Sequence, residues 1–231
     1  MSRTYVISDL HGRSDVLEAA LERIEASPSG GKVVFTGDYV DRGPWSKEVV
    51  DRLMAGPTKP GWEWICLKGN HEDMMVGAIR GEYEQGWWIG NGGSHTLSSY
   101  PDFEVPQEHV EWMDKLPVCY SDGQRIFVHA GVDETLSLAQ QTERDLVWSR
   151  VPKQRDYHHP EGYVVHGHTP FEDGPIVLQG RANMDTGAVW TGRLAIAVFD
   201  DDVSGAPIEI FTVQKPSLDA LSQASPTKQE E

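Results

Sequence analysis

Five short apolar runs in this chain each lead, directly or after one or two residues, into a compact polar signature. Tyr5-Val6-Ile7 leads into Ser8-Asp9-Leu10-His11-Gly12, and Val33-Val34-Phe35 into Gly37-Asp38-Tyr39-Val40-Asp41-Arg42-Gly43. Trp64-Ile65-Cys66-Leu67 leads into Gly69-Asn70-His71-Glu72, Ile126-Phe127-Val128 into His129-Ala130-Gly131, and Tyr163-Val164-Val165 into His166-Gly167-His168-Thr169-Pro170. Short continuous runs of β-branched and aromatic residues predict strands buried on both faces. Helical spacing follows the first three. It runs through Leu17, Ala20, Leu21 and Ile24 with Ser14 as N-cap, then Val49, Val50, Leu53 and Met54, then Met74, Met75, Ala78 and Ile79. Strand, polar loop and helix in repetition predict an α/β sheet. In such sheets ligands collect at the carboxyl ends of the strands, where all five signatures stand.

The rest of the chain is organised around this frame. Residues 81–118, rich in Trp and Gly, predict a helical cap or lid, and Ser121-Asp122-Gly123-Gln124 a hairpin turn. Beyond residue 170 the pattern is all β, consistent with a second sheet packed on the first. A single domain is expected over residues 1–213, with a disordered polar tail over 214–231.

The length of 231 residues suits one domain with a sizeable core. No apolar stretch approaches the roughly 20 residues of a spanning helix, and Asp9, His11, Arg13 and Asp15 interrupt any leader-like segment early. No membrane partner and a cytoplasmic location are therefore expected. The formal net charge of −16 argues against nucleic acid as a partner. An acidic chain still hydrolyses anionic substrates where bound cations reverse the local sign. The two cysteines, Cys66 and Cys119, are expected to be reduced core residues.

The signatures hold Asp, His and Asn in the numbers a two-metal hydrolytic site requires. Asp9 and His11 stand two apart at a strand end, where both can face one side. Asp38 is the natural bridging carboxylate and Asn70 a neutral oxygen ligand. His129 and His168 complete a second metal. Two cations about 3.5–4 Å apart clamp an in-line displacement and bring a shared water's pKa toward neutrality, so no side-chain nucleophile is needed. His71 is placed beside the metals as general acid, with Asp41 on its other ring nitrogen. Arg42 and Arg150 are expected to fork onto phosphate oxygens.

With these motifs the chain resembles the metal-dependent phosphoprotein phosphatases of the serine/threonine type, in their short bacterial and phage branch, over about residues 4–200. The resemblance implies a calcineurin-like sandwich of two mixed β-sheets flanked by helices, and two divalent ions, manganese before iron or zinc. It implies Asp9, His11 and Asp38 on one metal and Asp38, Asn70, His129 and His168 on the other, with Arg42 and Arg150 binding phosphate and His71 and Asp41 the acid pair. Ser8 stands where the family has Gly, which spares the ligand. The expected substrate is a phosphorylated protein or peptide. The alternative is a symmetrical dinucleoside polyphosphate hydrolase sharing these motifs.

Other residues receive plainer readings. His166 is expected to support the site rather than ligate, and His95, His109, His158 and His159 are non-ligands, His95 being the one placed to line a substrate path. Cys119 and Arg125 have the Cys-x5-Arg spacing of thiolate phosphatases. That chemistry needs a loop leading into a helix, whereas a turn and a strand separate these two.

Overall fold

The computed structural model describes residues 2–224. Its first half alternates strand and helix: β1 (Arg3–Ile7), α1 (Ser14–Ile24), β2 (Gly31–Phe35), α2 (Ser46–Ala55), β3 (Trp62–Cys66) and α3 (Asn70–Arg80). The region expected as a cap is helical: α4 (Gln85–Trp88), a π turn over Ile89–Gly93, α5 (Ser94–Ser99) and α6 (Gln107–Asp114). Then follow β4 (Cys119–Ser121), β5 (Arg125–Val128), α7 (Glu143–Trp148), β6 (Tyr163–His166), β7 (Ile176–Val177), β8 (Arg181–Asn183), α8 (Ala188–Thr191), β9 (Arg193–Asp200), β10 (Glu209–Gln214) and α9 (Leu218–Ala224).

The strands form two mixed five-stranded sheets, in the orders β10-β9-β1-β2-β3 and β4-β5-β6-β8-β7. In the first, β1, β2 and β3 run parallel while β9 and β10 are antiparallel additions. In the second, β5, β6 and β8 are parallel and β4 and β7 close the edges antiparallel.

Strand periodicity divides the side chains between three apolar layers. Val6, Val34, Ala195, Ala197 and Phe199 of the first sheet meet Phe127, Tyr163, Val165, Ala182 and Met184 of the second in the seam between sheets. The neighbours Tyr5, Ile7, Val33, Phe35 and Ile196 face outward against α1, α2, α3 and α6. Ile126, Val128 and Val164 face outward on the other side against Leu146 and Val147 of α7. The α/β sandwich with helices on both outer faces is therefore as expected.

Three local expectations are corrected. Arg13, not Ser14, holds the N-cap position of α1, without a capping side-chain bond. The stretch after residue 170 contains helices as well as strands, since Gly187 (φ 62°) and Gly192 (φ 68°) in the left-handed region bracket the short α8. The tail expected to be disordered over 214–231 is in part regular structure. Val213 and Gln214 pair with Leu194 and Arg193 in β10, and α9 follows. Residues 225–231 of that expected tail lie outside the described residues.

Candidate active site

The carboxyl ends of β1, β2 and β3 meet those of β5, β6 and β8. Several loop residues there adopt a left-handed backbone that only glycine takes freely: Asp9 (φ 48°), His11 (43°), Asp38 (57°), Asp41 (71°), Arg42 (71°) and His168 (69°). Each such residue costs on the order of 1–3 kcal/mol and persists only where its surroundings over-determine it. For Asp38 the determinant is Glu72. This fully buried carboxylate accepts the amides of Asp38 (2.8 Å), Tyr39 (2.7 Å), Gly69 (2.8 Å) and Val40 (3.3 Å). It thereby ties the second signature to the first turn of α3. A methyl on Gly167 would collide with Ser8 Oγ and the Asp9 carboxylate, so glycine is required for the fifth signature to approach the first.

The ring tautomers are set by backbone carbonyls. His11 Nδ1 donates to Val40 O (2.8 Å) and His129 Nδ1 to Thr36 O (2.9 Å), so each Nε2 presents a lone pair inward. His129 Nε2 lies 2.9 Å from Asn70 Oδ1 and 3.1 Å from His168 Nδ1, and Asn70 Oδ1 lies 2.8 Å from His168 Nδ1. His129 Nε2 also lies 3.3 Å from Asp38 Oδ1, and His11 Nε2 3.4 Å from Asp38 Oδ2. Two groups able to hold a metal ion result, His11–Asp38–His71 and Asp38–His129–His168, each with its ligand atoms within 4.8 Å. Asp38 belongs to both, which is the position of a bridging carboxylate. Asp9 stands beside them, accepting from Ser8 Oγ and from the His168 amide (3.0 and 3.1 Å). Ser8, where the resembled family has Gly, thus adds a hydrogen bond to Asp9.

The electrostatics fit cation binding. Burial raises Asp9 well above the usual carboxylate range, and the Asp185 and Asp38 charges raise it further. Burial, then Glu72, does the same to Asp38, and burial lifts Asp185 to about 6. Burial also lowers the proton affinity of His11 and His129, and brings His168 to about 2. Buried carboxylates crowded together beside imidazoles held neutral form a donor set that a divalent cation satisfies.

His71 Nδ1 lies 2.7 Å from Asp41 Oδ2. Asp41 is completely buried and receives Thr96 Oγ1 (2.6 Å) and Trp88 Nε1 (3.0 Å). Burial raises it to about 7, with Thr96 and Trp88 pulling it back down. Arg42 spans the two imidazoles, its Nη1 2.6 Å from His11 Nε2 and its Nη2 2.9 Å from His71 Nε2. Burial, then Arg42, keeps the proton affinity of His71 low.

Arg150 is exposed, and among the described residues it forms no ion pair. Its charge acts on His168, which sets it on the metal side. His166 Nε2 lies 3.0 Å from Nη1 of the buried Arg181, which also donates to the carbonyls of Arg155, Pro152 and Lys153. Cys119 and Arg125 sit on the paired strands β4 and β5, and burial pushes the thiol up to about 11. Both cysteines are free and half-buried rather than fully in the core.

The sequence alone assigns no part in the site's chemistry to Glu72, Trp88, Thr96 or Asp185, Trp88 reading as cap packing and Asp185 as part of a structural segment. Glu72 was visible three residues after the cap Gly69, the spacing of a capping box. Trp88 and Thr96 carried no signal of their own, because their partner Asp41 is far away in the chain.

The chain belongs to the calcineurin-like phosphoesterase family, whose sequence pattern it matches over residues 2–203. It is 25% identical to a bis(5'-nucleosyl)-tetraphosphatase PrpE [asymmetrical] from Halalkalibacterium halodurans, covering 85% of this chain and 89% of that protein. It is 28% identical to a symmetrical bis(5'-nucleosyl)-tetraphosphatase from Methylobacillus flagellatus, covering 96% of this chain and 77% of the relative. Among solved structures, a metallophosphoesterase from Sphaerobacter thermophilus superposes with a TM-score of 0.60 at 19% identity, over 96% of this chain and 92% of that one. A serine/threonine protein phosphatase from Saccharomyces cerevisiae superposes with a TM-score of 0.61 at 14% identity, over 94% and 81% of the two chains. These two likenesses show the fold. The class is thus that of a metallophosphoesterase, a hydrolase. Among the described residues no helix is long and apolar enough to cross a membrane.

Proposed function

We propose that this protein hydrolyses dinucleoside tetraphosphates at a dinuclear centre, with manganese as the first metal to test. The observation that supports the reading is the paired donor set on Asp38 beside the Arg42–His71–Asp41 row, in a chain whose curated relatives carry tetraphosphatase names. Asp9, His11 and Asp38 would hold one cation, and Asp38, Asn70, His129 and His168 the other. When bound, the cations supply Lewis acidity toward the phosphoryl group and activate a water.

The chain's own residues do the rest. Arg42 forks onto two phosphoryl oxygens with the same Nη atoms that face His11 and His71. Arg150, exposed on the His168 side, binds the phosphate chain. Asp41 accepts the His71 Nδ1–H and orients the ring, and once the phosphoryl oxygens draw Arg42 off Nε2, that atom is free to carry a proton to the departing oxygen. The absence of a side-chain nucleophile agrees with the Cys119 thiol being held protonated by burial.

The resemblance to phosphoprotein phosphatases supports a second reading, a phosphopeptide substrate, for which the same residues would act on a monoester. Rates on diadenosine tetraphosphate and on a phosphoserine peptide, measured side by side with manganese, separate the two. A kcat/KM favouring the dinucleotide by about tenfold or more is expected, about 1.4 kcal/mol in transition-state binding. A preference for the peptide replaces the first reading with the second.

A further inference from the structure

One cavity adjoins the catalytic row without being used by it. It is an open groove of about 460 Å³, lined by Arg42, Gly90, Asn91, Gly92, His95 and Trp190. Trp190 is 46% exposed, unusual for so large an apolar side chain, and its ring centroid lies 5.4 Å from the Arg42 guanidinium carbon. The indole is held in place from beneath. It stands on α8 between two left-handed glycines, and the fully buried Arg13 donates to the carbonyls of Ala188 (3.0 Å) and Val189 (3.3 Å) and to Pro216 O (2.8 Å). Arg13 follows the first signature directly, so the indole and the metal-side loop share one anchor. Across the cavity, Gly92 O accepts the Arg42 amide (3.2 Å), and a side chain at Gly92 would strike Arg42. The exposed Asn91 and His95 supply polar atoms at the rim.

We infer that Trp190 is a stacking wall for a nucleobase, and that it decides which phosphorus is attacked. The inference rests on the tetraphosphate reading given above. A base stacked on Trp190 leaves only its own ribose between itself and the phosphoryl group gripped by Arg42. That group is the α-phosphoryl. Water oxygen then attacks the α-phosphorus and the bond from that phosphorus to the α,β-bridging oxygen breaks. The bridging oxygen leaves on the nucleoside triphosphate with the electron pair and takes a proton from His71. The products are one nucleoside monophosphate, carrying the water oxygen, and one nucleoside triphosphate. This is asymmetrical cleavage, in contrast to the symmetrical alternative expected from the sequence, and the relatives include both kinds.

The test is hydrolysis of diadenosine tetraphosphate by the manganese-loaded full chain in ¹⁸O-water, with products resolved by ion exchange and mass spectrometry. AMP and ATP in equal amounts, with the label on AMP, are expected. Trp190→Ala should raise KM about tenfold with kcat little changed, and should weaken AMP binding in calorimetry by the same factor, while Trp190→Phe restores most of both. Formation of ADP alone, label on ATP, or an unchanged KM and AMP affinity in Trp190→Ala overturns the inference and leaves the tetraphosphate reading standing. Failure to cleave the dinucleotide, with a phosphopeptide turned over, overturns both.

Discussion

The indole N–H of Trp88 donates to the Asp41 carboxylate at 3.0 Å across 47 positions of chain, and the far oxygen of that carboxylate meets His71 Nδ1 at 2.7 Å. The cap is therefore wired to the catalytic row through a single buried acid. Burial raises Asp41 to about 7, and the donors Thr96 and Trp88 act against that rise. Ionised Asp41 is the form that accepts the His71 proton, so activity should climb with pH through about 7. Trp88→Phe removes one donor at nearly constant volume and should move this limb to higher pH, with kcat at pH 7 lowered about tenfold and KM little changed. A pH–rate profile of both proteins checks it, and superimposable limbs would remove Asp41 from the mechanism.

Glu72 carries the second prediction. Glu72→Ala strands the amides of Asp38, Tyr39 and Gly69 in a dry interior, each costing about 1–3 kcal/mol. A loss of around 4 kcal/mol is expected, seen as a fall in Tm of more than ~8 °C. Glu72→Gln keeps an acceptor oxygen and should lose less than half as much. Differential scanning calorimetry of the two variants gives the comparison directly.

Asp38→Asn tests the shared ligand. Asp38 stands in both metal-holding groups, so its loss should lower manganese content and turnover together. Removing a residue that merely supports ligands costs about 10–100-fold, so a bridging ligand should cost at least ~100-fold in kcat. Metal analysis after dialysis, alongside steady-state rates, measures both. A variant with two tightly held metals and near-normal rates would refute the dinuclear scheme.

Metal removal should expose a carboxylate contribution to stability whose pH dependence has a definite sign. Burial raises Asp185 to about 6 and Glu72 to about 7, above their values in the unfolded chain near ~4. The metal-free fold then holds protons that the unfolded chain has released. The contribution of these carboxylates is full below pH ~4 and is lost as pH rises through 6 and 7, whereas His11, His129 and His168, held neutral by burial, contribute in the opposite sense as pH falls below about 6.5. In chelator, the stability advantage of the wild type over Glu72→Gln, which isolates one carboxylate, should therefore be smaller at pH 8 than at pH 5. Added manganese should shrink that change with pH, because a cation favours the ionised carboxylates. A scanning-fluorimetry grid of pH against metal reads the sign.

Much of this was legible beforehand because strands buried on both faces leave continuous apolar runs, and the polar residue that ends each run falls at the same edge of the sheet. That logic located Asp9, His11, Asp38, Asn70, His71, His129 and His168 without any distance information. It failed where the signal was short or non-local. Ala188-Val189-Trp190-Thr191 is a single turn of helix defined by its flanking glycines, and it carries no periodicity. Trp88 and Thr96 matter only through a carboxylate far back in the chain. The left-handed backbone at Asp38 is likewise held by the Glu72 carboxylate, and that at His11 by the Asp38 carbonyl, and not by local preference.

The seam between the sheets has one more consequence. Asp9, His11, Asp38 and Asn70 hang from the first sheet, whereas His129 and His168 hang from the second. The centre is thus a caliper whose jaws belong to different layers. Its gauge is set by the small contacts at Ala182, Ala195 and Ala197. Enlarging any of these side chains would spread the jaws while leaving every ligand, and each sheet taken alone, intact.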